Sequence, residues 1–416
     1  MELDLCNLTP LLAQAVDYFK KMDLSLDSVN GEIFFLIRRI ADRPTDYQEH
    51  QVAKLYSALS KESVLEIFNN RMVISGHGAV RVTFSSLTEW LMKRAFDVGA
   101  PQAIKDLTQY VISDIIPAHL MIALGGLTFS GEYCLGDEIK LVNYDSFSNV
   151  FVKTWIAQRF ETGLHWPTAI IMKPTKIRKK HLSAQEINAH QSLSVMGDKD
   201  SLALDDFLLC LGLIGPTAPC TFAKWVEFPE WAFVASSSFA TPFLDTRCFP
   251  REMPIDAPKQ ATELFARWKT MNESEKSKIR VPMERLNKSI RRSSQVDSAI
   301  DLGIVLEALF LDDDNTAELS YRLQTRAAMW LGKNLSERKR IASSLKQLYD
   351  CRSKAVHTGK LLPEYKGKST DQILENGFNL AATGIKRYLL EGKPDWDTVV
   401  FEGSLTPDQT CLLPAQ

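Results

Sequence analysis

The sequence lacks most of the features that assign a protein to a class at sight. Its seven cysteines are scattered and odd in number, and no two are spaced Cys-x-x-Cys, which excludes a zinc ribbon and a dithiol redox pair. Reduced thiols are expected, as in a cytoplasmic protein. No apolar run reaches membrane-spanning length: the longest, around Ile115 to Leu127 and Phe207 to Ile214, are short or broken by His119. The opening Met-Glu-Leu-Asp-Leu carries early acidic residues where a signal peptide would carry a basic start. A cytoplasmic localisation with no membrane partner follows. There is no Gly-x-x-x-x-Gly-Lys-Ser/Thr loop, no His-Glu-x-x-His and no Gly-x-Ser-x-Gly elbow. Carboxylates with metal-ligand spacing are missing too, so neither a metal nor a cofactor is expected. The formal net charge is only -2, which gives no global attraction to nucleic acid and leaves any such contact to a local patch.

What is present is an ordinary globular composition, 45% hydrophobic and 24% charged over 416 residues, enough for two or three domains. The patterning predicts an α+β protein in which a strand-rich amino-terminal region with helices precedes an all-α bundle. Residues 1–118 read as mainly helical, with Thr9-Pro10 opening a helix to Lys21 and further helices over Leu87 to Phe96 and Pro101 to Ile115. A glycine turn at Gly76-His77-Gly78 leads into an alternating strand over Ala79 to Phe84. Residues 119–255 carry short alternating runs, clearest at Leu120–Ala123, Gly126–Phe129, Ile139–Val142, Thr168–Met172 and Trp231–Ala235, with helices over Phe151–Phe160 and Leu202–Leu213. Met253 to Pro258 reads as a linker. Residues 259–400 read as an antiparallel bundle with helices over Lys259–Met271, Pro282–Arg292, Val296–Leu311, Glu318–Leu331, Ser336–Val356 and Thr370–Leu390. The Asp312-Asp313-Asp314-Asn315 loop between two of them lacks the glycine and later carboxylate of a calcium loop. Residues 401–416 read as a frayed tail.

One basic run stands out: Lys173, Lys176, Arg178, Lys179, Lys180 and His181. It reads either as a solvated loop after a strand or as a contact for RNA phosphates through Lys176, Arg178, Lys179 and Lys180. No aromatic residue interleaves with it, so a base-stacking platform is not evident.

The most informative stretch is Leu345 to Gly359. Ile341, Leu345 and Leu348 recur at helical spacing, and continuing that stripe by four residues places Arg352 on an apolar face. His357 follows five residues later, and Gly359 reads as a C-cap. Arg-x-x-x-x-His is weak by itself: Arg71 to His77 and Arg159 to His165 show similar gaps in what read as surface turns. Glu307 lies on the Ile300, Ile304, Leu311 face of its own helix. It is an expected ion-pair partner for Arg352, with Arg326 competing for the same carboxylate.

Three segments taken together, Ala299-Ile-Asp-Leu-Gly-Ile-Val-Leu-Glu-Ala-Leu-Phe310, Glu318-Leu-Ser-Tyr-Arg-Leu323 and Leu348-Tyr-Asp-Cys-Arg-Ser-Lys-Ala-Val-His357, resemble the Apea-like HEPN domains. These are prokaryotic helical bundles found in RNA-cleaving toxins and anti-phage proteins. The similarity covers about Lys259 to Leu390. More weakly, the runs from Ala123 to Ser130 and from Leu135 to Leu141 are similar to strand-rich modules that accompany such domains.

The resemblance implies that Arg352 and His357 act on an RNA phosphodiester without metal, in tRNA or mRNA, with Glu307, Arg326, Ser353 and Lys354 in support. An imidazole can take the 2'-hydroxyl proton or supply one to the leaving 5'-oxygen, and a guanidinium can stabilise charge developing on phosphate. The implied products are a 2',3'-cyclic phosphate and a 5'-hydroxyl. Ser353 follows the Arg where many active members place Asn, Asp or His; it can hydrogen-bond but not titrate usefully. A non-catalytic RNA-binding or dimerisation bundle is the alternative. One His per protomer supplies one proton-transfer group where two are needed, so a homodimer through the bundle is expected. The amino-terminal region would sense a phage-derived or cellular trigger.

Overall fold

The computed structural model describes residues 4–21, 26–75, 78–134, 139–147, 153–154, 156, 166–183, 185–186, 198–215, 217–233, 237–240, 251–311 and 318–402. The chain is α+β, with sheets in its amino-terminal half and helices in its carboxy-terminal part. It forms two compact units that interleave along the sequence: residues 1–121, 173–201 and 225–239 in the first, and 122–172, 202–224 and 240–416 in the second. The stretch 119–255 is thus shared between the two.

The first unit carries helices α1 (Thr9–Lys20), α2 (Leu26–Asp42), α3 (Gln51–Lys61), α4 (Phe84–Val98) and α5 (Ala100–Ile112), with strands β1 (Arg71–Ser75) and β2 (Gly78–Val82). Its core gathers Leu12, Phe19, Leu55, Leu91, Leu107 and Tyr110. The alternating run expected to reach Phe84 stops at Val82, because Thr83 caps α4: its hydroxyl accepts from the Ser86 amide while the Ser86 hydroxyl accepts from the Thr83 amide. That reciprocal cap satisfies two orphan donors and starts the helix at Phe84. The turn at residues 76–77 lies outside the described residues.

The expected helix to Ile115 ends at Ile112, and β3 (Ile115–Gly125) begins there. Burial alternates from Ile115 to Leu120 and is then continuous to Gly125, the pattern of a strand that passes from a half-covered to a fully covered position. The sheet order is β4-β5-β6-β3-β8-β9, with β4 (Glu132–Cys134), β5 (Lys140–Asn143), β6 (Ala169–Arg178), β8 (Cys220–Glu227) and β9 (Ser237–Ala240). A separate sheet of order β2-β1-β7 includes β7 (Lys180–Leu182), antiparallel to β1 with Val73 opposite His181.

Several sequence expectations need correction. Gly126–Phe129 is not a strand: Gly126 has φ +82, and only Thr128 bridges, to Glu252. Trp231–Phe233 is turn and coil; Trp231 and Phe233 are apolar because they pack on the first unit's core, not because they pair. The run expected as a loop is strand, with Lys173, Lys176 and Arg178 in β6 and Lys180 and His181 in β7. Cys220 is disulfide-bonded, whereas Cys6, Cys134, Cys210 and Cys351 are free thiols; pairing depends on proximity in space, which spacing does not report. The helix expected over 151–160 falls largely outside the described residues, as do residues 312–315, Arg159, His165 and the tail beyond 402.

The second unit contains α6 (Asp198–Leu211, from Leu202 onward) and then α7 (Ala257–Thr270), α8 (Glu273–Arg291), α9 (Gln295–Phe310), α10 (Leu319–Leu331), α11 (Leu335–Thr358) and α12 (Thr370–Glu391). A short hairpin of β10 (Glu364–Tyr365) and β11 (Lys368–Ser369) precedes α12. The expected linker shortens to an irregular piece, since Ala257 and Pro258 are already buried in the first turn of α7. Pro282, expected to open a helix, lies inside α8, whose start is set nine residues earlier by an Asn272 and Glu275 capping box. Close approach in this unit depends on small residues. A Cβ on Gly377 would meet Leu348 Cδ2 at 2.3 Å, and one on Gly384 would meet Leu309 Cδ2 at 2.5 Å. Asp301 of α9, 2% exposed, accepts from Arg285 Nη1 at 2.8 Å and Arg292 Nε at 2.7 Å, so this buried carboxylate is compensated from two sides. Among the described residues no helix is long and apolar enough to cross a membrane.

Candidate functional site at the end of helix α11

Helix α11 starts at Asn334, whose side chain accepts from the Glu337 amide, and ends at Gly359, which adopts φ +65 and donates to the Ala355 carbonyl at 2.9 Å. Glycine takes this left-handed cap without steric cost. The buried stripe is Ile341, Leu345, Leu348, Cys351 and Ala355. At 3.6 residues per turn the position after Leu348 falls between 351 and 352; Cys351 takes the centre, and Arg352 sits at the edge with its side chain 26% exposed. On α9 the fully buried positions include Leu302, Gly303, Leu306, Leu309 and Phe310. Glu307 is likewise on the boundary, 28% exposed.

The two boundary charges meet. Arg352 Nη2 lies 3.0 Å from both Glu307 Oε1 and Oε2. The arginine stem passes over Gly303, where a Cβ would stand 2.3 Å from Arg352 Cγ; any larger residue would displace the stem. The guanidinium carbon lies 5.8 Å from the Tyr349 ring centroid. The Tyr349 hydroxyl titrates above its usual range, chiefly through burial and then through the Glu307 charge. Arg352 Nε is buried and has no hydrogen-bond partner among the described residues. A buried unmet donor costs roughly 1–3 kcal/mol, so this rotamer is stabilised by Glu307 at one nitrogen and penalised at another.

His357 occupies the last turn of α11, exposed and with no hydrogen bond or ion pair among the described residues. Five residues of helix place it about 140° around and about 7.5 Å along the axis from Arg352. Its neighbours on the helix surface are Asp350, Ser353 and Lys354 rather than the arginine. Ser353 is half-buried and Lys354 exposed. Asp350 accepts from the Tyr365 hydroxyl at 2.8 Å and lies 3.7 Å from Lys366 Nζ, which ties the β10–β11 hairpin to this helix. Arg326 donates to the Phe310 carbonyl at 2.9 Å and lies 5.1 Å from the Trp396 ring centroid.

The basic run, in the first unit, divides. Lys176 and Arg178 are exposed on one face of β6, and Lys180 is exposed on β7. Lys179 turns inward: its Nζ donates to the Tyr110 and Val111 carbonyls at the end of α5 and lies 4.3 Å from the Tyr110 ring centroid. Burial lowers its pKa to about 8, partly opposed by Asp114. The amine is a helix C-cap there.

Sequence reasoning paired Arg352 with Glu307 but missed Tyr349 and assigned no role to Gly303. The signal for Gly303 was available, since a glycine inside a continuous apolar helix usually marks a close approach. Among the described residues no three His, Cys, Asp or Glu side chains converge on a common point. The chain matches no family model, no curated protein and no solved structure.

Proposed function

We propose that this protein is a metal-independent endoribonuclease of the HEPN type, with Arg352 and His357 acting on the scissile phosphodiester and leaving 2',3'-cyclic phosphate and 5'-hydroxyl ends. The observation that carries the reading is the helix end itself. An exposed imidazole with no partner and a partly exposed arginine whose buried Nε has no hydrogen bond, both among the described residues, stand about one and a half turns apart on one helix. The imidazole is accessible for proton transfer. The arginine can exchange a single-nitrogen contact with Glu307 for the two parallel bonds a phosphate offers.

Because the two side chains diverge by about 140° around the helix, one protomer does not aim both at one phosphate from these rotamers. A homodimer that apposes two α11 ends would supply an acid, a base and two guanidinium groups to one cleft. The amino-terminal unit would then couple a phage-derived or cellular trigger to RNA cleavage.

Incubation of the protein with total tRNA and mRNA in excess chelator, followed by analysis of the cut ends, tests the proposal. Cyclic phosphate and 5'-hydroxyl ends formed without added metal are expected. Cleavage that disappears with chelation and returns with magnesium would overturn it.

The Glu307 contact also favours a second reading, in which Arg352 serves as a boundary ion pair and the bundle binds RNA or dimerises without cutting. Under that reading RNA binds, yet no new ends form at any protein concentration.

A further inference from the structure

A second polar feature lies on the other half of helix α11, among groups the proposed reaction does not use. A cavity of about 720 Å³ opens between the first turns of α11, the α12 helix and strand β11. That size is within the range of small-molecule sites. Two cations line it, Arg340 from α11 and Lys368 from β11, and neither side chain has a hydrogen bond or ion pair among the described residues. Its single carboxylate, Glu337, is already committed at the start of the helix, where it accepts from the Lys333 amide at 2.9 Å.

The remaining lining is selective in kind. Asn376 and Asn379 present carboxamides from one face of α12, each able to donate and accept. Leu380 supplies apolar surface and Ser336 and Ser344 supply hydroxyls, while Ile341, only 2% exposed, belongs to the floor of the cavity. A larger cavity of about 920 Å³, which shares Asn379 with this one, sets Asp371 and Glu375 alongside Arg251 and Arg292; its carboxylates balance its cations. The α11–α12 cavity carries one more cation than carboxylate.

We infer that the cavity between α11 and α12 is a binding site for a nucleoside monophosphate group, with Arg340 and Lys368 on the phosphate, Asn376 and Asn379 on the base edge, and Leu380 against the base face. Two unpaired cations fit a dianionic phosphate. The paired carboxamides fit the alternating donors and acceptors of a base, and Leu380 accepts its flat face. A bare phosphate would leave the amides and the apolar wall without partners. The group can arrive as a free nucleotide or as one residue of an RNA strand, and the site does not depend on the ribonuclease reading. Along α11, Ser344 is about 20 Å from His357, so the cavity is not part of the proposed cleavage site.

Isothermal titration of the full-length protein with 5'-AMP, with inorganic phosphate and with a short 2'-O-methyl oligonucleotide, which cannot be cut, tests the inference. Saturable binding of AMP, of the oligonucleotide or of both is expected, with at least a tenfold loss in Arg340→Ala and in Lys368→Ala and no loss in Lys360→Ala, an exposed lysine outside the cavity. Binding of AMP with the oligonucleotide excluded makes the source a free nucleotide, and the reverse makes it a strand; either supports the site. Asn379→Asp should weaken AMP more than phosphate. No binding of AMP or oligonucleotide at millimolar concentration would overturn the inference, as would phosphate binding equal to AMP binding or unchanged affinity in the double variant of Arg340 and Lys368. His357→Ala should leave the AMP affinity unaltered, which separates failure of the cavity from failure of the cleavage reading.

Discussion

Each unit of the molecule holds a cation and a histidine close together in sequence, Lys179 with His181 in the first and Arg352 with His357 in the second, and the fold turns them in opposite directions. Lys179 and His181 face inward. The imidazole lies among Phe68 and Tyr110, with ring centroids 6.1 and 6.4 Å away, and both its nitrogens are buried without a well-formed hydrogen bond. Burial lowers its pKa to about 4, with Lys179 and Arg71 adding to the effect and the Ile67 backbone opposing it. Arg352 and His357 stand at the rim, one partly exposed and the other exposed. The residue types are equivalent on paper; desolvation decides which pair is structural and which is available for chemistry.

The sharpest way to break this comparison is to remove the two histidines in turn. His357→Ala should lower cleavage by a factor of about 10²–10⁴, the usual contribution of one proton-transfer group, while thermal unfolding stays near wild type because the residue is exposed. His181→Ala should do the reverse. It leaves a void beside Phe68 and Tyr110, so chemical denaturation should show a loss of about 1–3 kcal/mol, with little change in the cleavage rate of the folded protein. Equal activity losses in the two variants would dissolve the distinction.

A second prediction concerns the contact that aims Arg352. Gly303→Ala adds a Cβ at 2.3 Å from Arg352 Cγ, an overpacking cost of about 1–3 kcal/mol. The better helix propensity of alanine returns about 1 kcal/mol. Net stability should therefore fall by no more than about 2 kcal/mol by denaturant unfolding, while the arginine is pushed off Glu307. Cleavage that falls while RNA affinity holds would assign the pair to positioning in the reaction; unchanged cleavage would leave it a boundary ion pair.

The helices of the carboxy-terminal part were far more legible in the sequence than the strands, for a physical reason. Amphipathic helices repeat their pattern over several turns, so an error of one position leaves the element intact; Leu335–Thr358 and Thr370–Glu391 were bounded to within two residues. Short strands give only a few alternations, and Trp231 and Phe233 show that a packed coil imitates them. Cys220–Glu227 went unread because a strand largely buried on both faces has almost no alternation to detect. Within the site, the Arg352 and Glu307 pair was found because each charge interrupts an apolar stripe. The angle between Arg352 and His357 was in the sequence as well, five residues on a 3.6-residue turn, but the two were read as neighbours rather than as diverging.

A smaller effect is expected from pH. His181 holds a folded pKa near 4 against about 6.5 when unfolded, so between those values the unfolded chain binds more protons. Stability contributed by the neutral ring is full above about pH 6.5 and declines as pH falls towards 4, with a slope of at most about 1.4 kcal/mol per pH unit. Lys179, Arg71, Tyr110 and Asp114 are the other charged or titratable groups around this pocket. Lys179, depressed to about 8, remains protonated across this window and Arg71 stays charged, so neither supplies the slope. His181→Phe should flatten the acid limb in denaturant titrations from pH 4 to 7. A limb of unchanged slope would move its origin to other groups.

The smallest effect, and the finest division of the comparison, lies within the basic run itself. Only the residues the fold leaves outward can neutralise phosphates: Lys176 and Arg178 on one face of β6, and Lys180 on β7. Lys179 is occupied at the end of α5, so reversing its charge would place a carboxylate against two carbonyls and test stability rather than binding. The informative variant is therefore Lys176→Glu with Arg178→Glu. On single-stranded RNA each phosphate contact contributes about 0.7 to the slope of log affinity against log salt, so losing two should reduce that slope by about 1.4 and lower affinity several-fold at moderate salt. Lys179→Met removes a charge that already faces protein, and it should leave the slope untouched even where it costs stability. A slope that falls equally in both variants would mean that Lys179 leaves the helix end to meet RNA, and the inward half of the comparison would fail at its own residue.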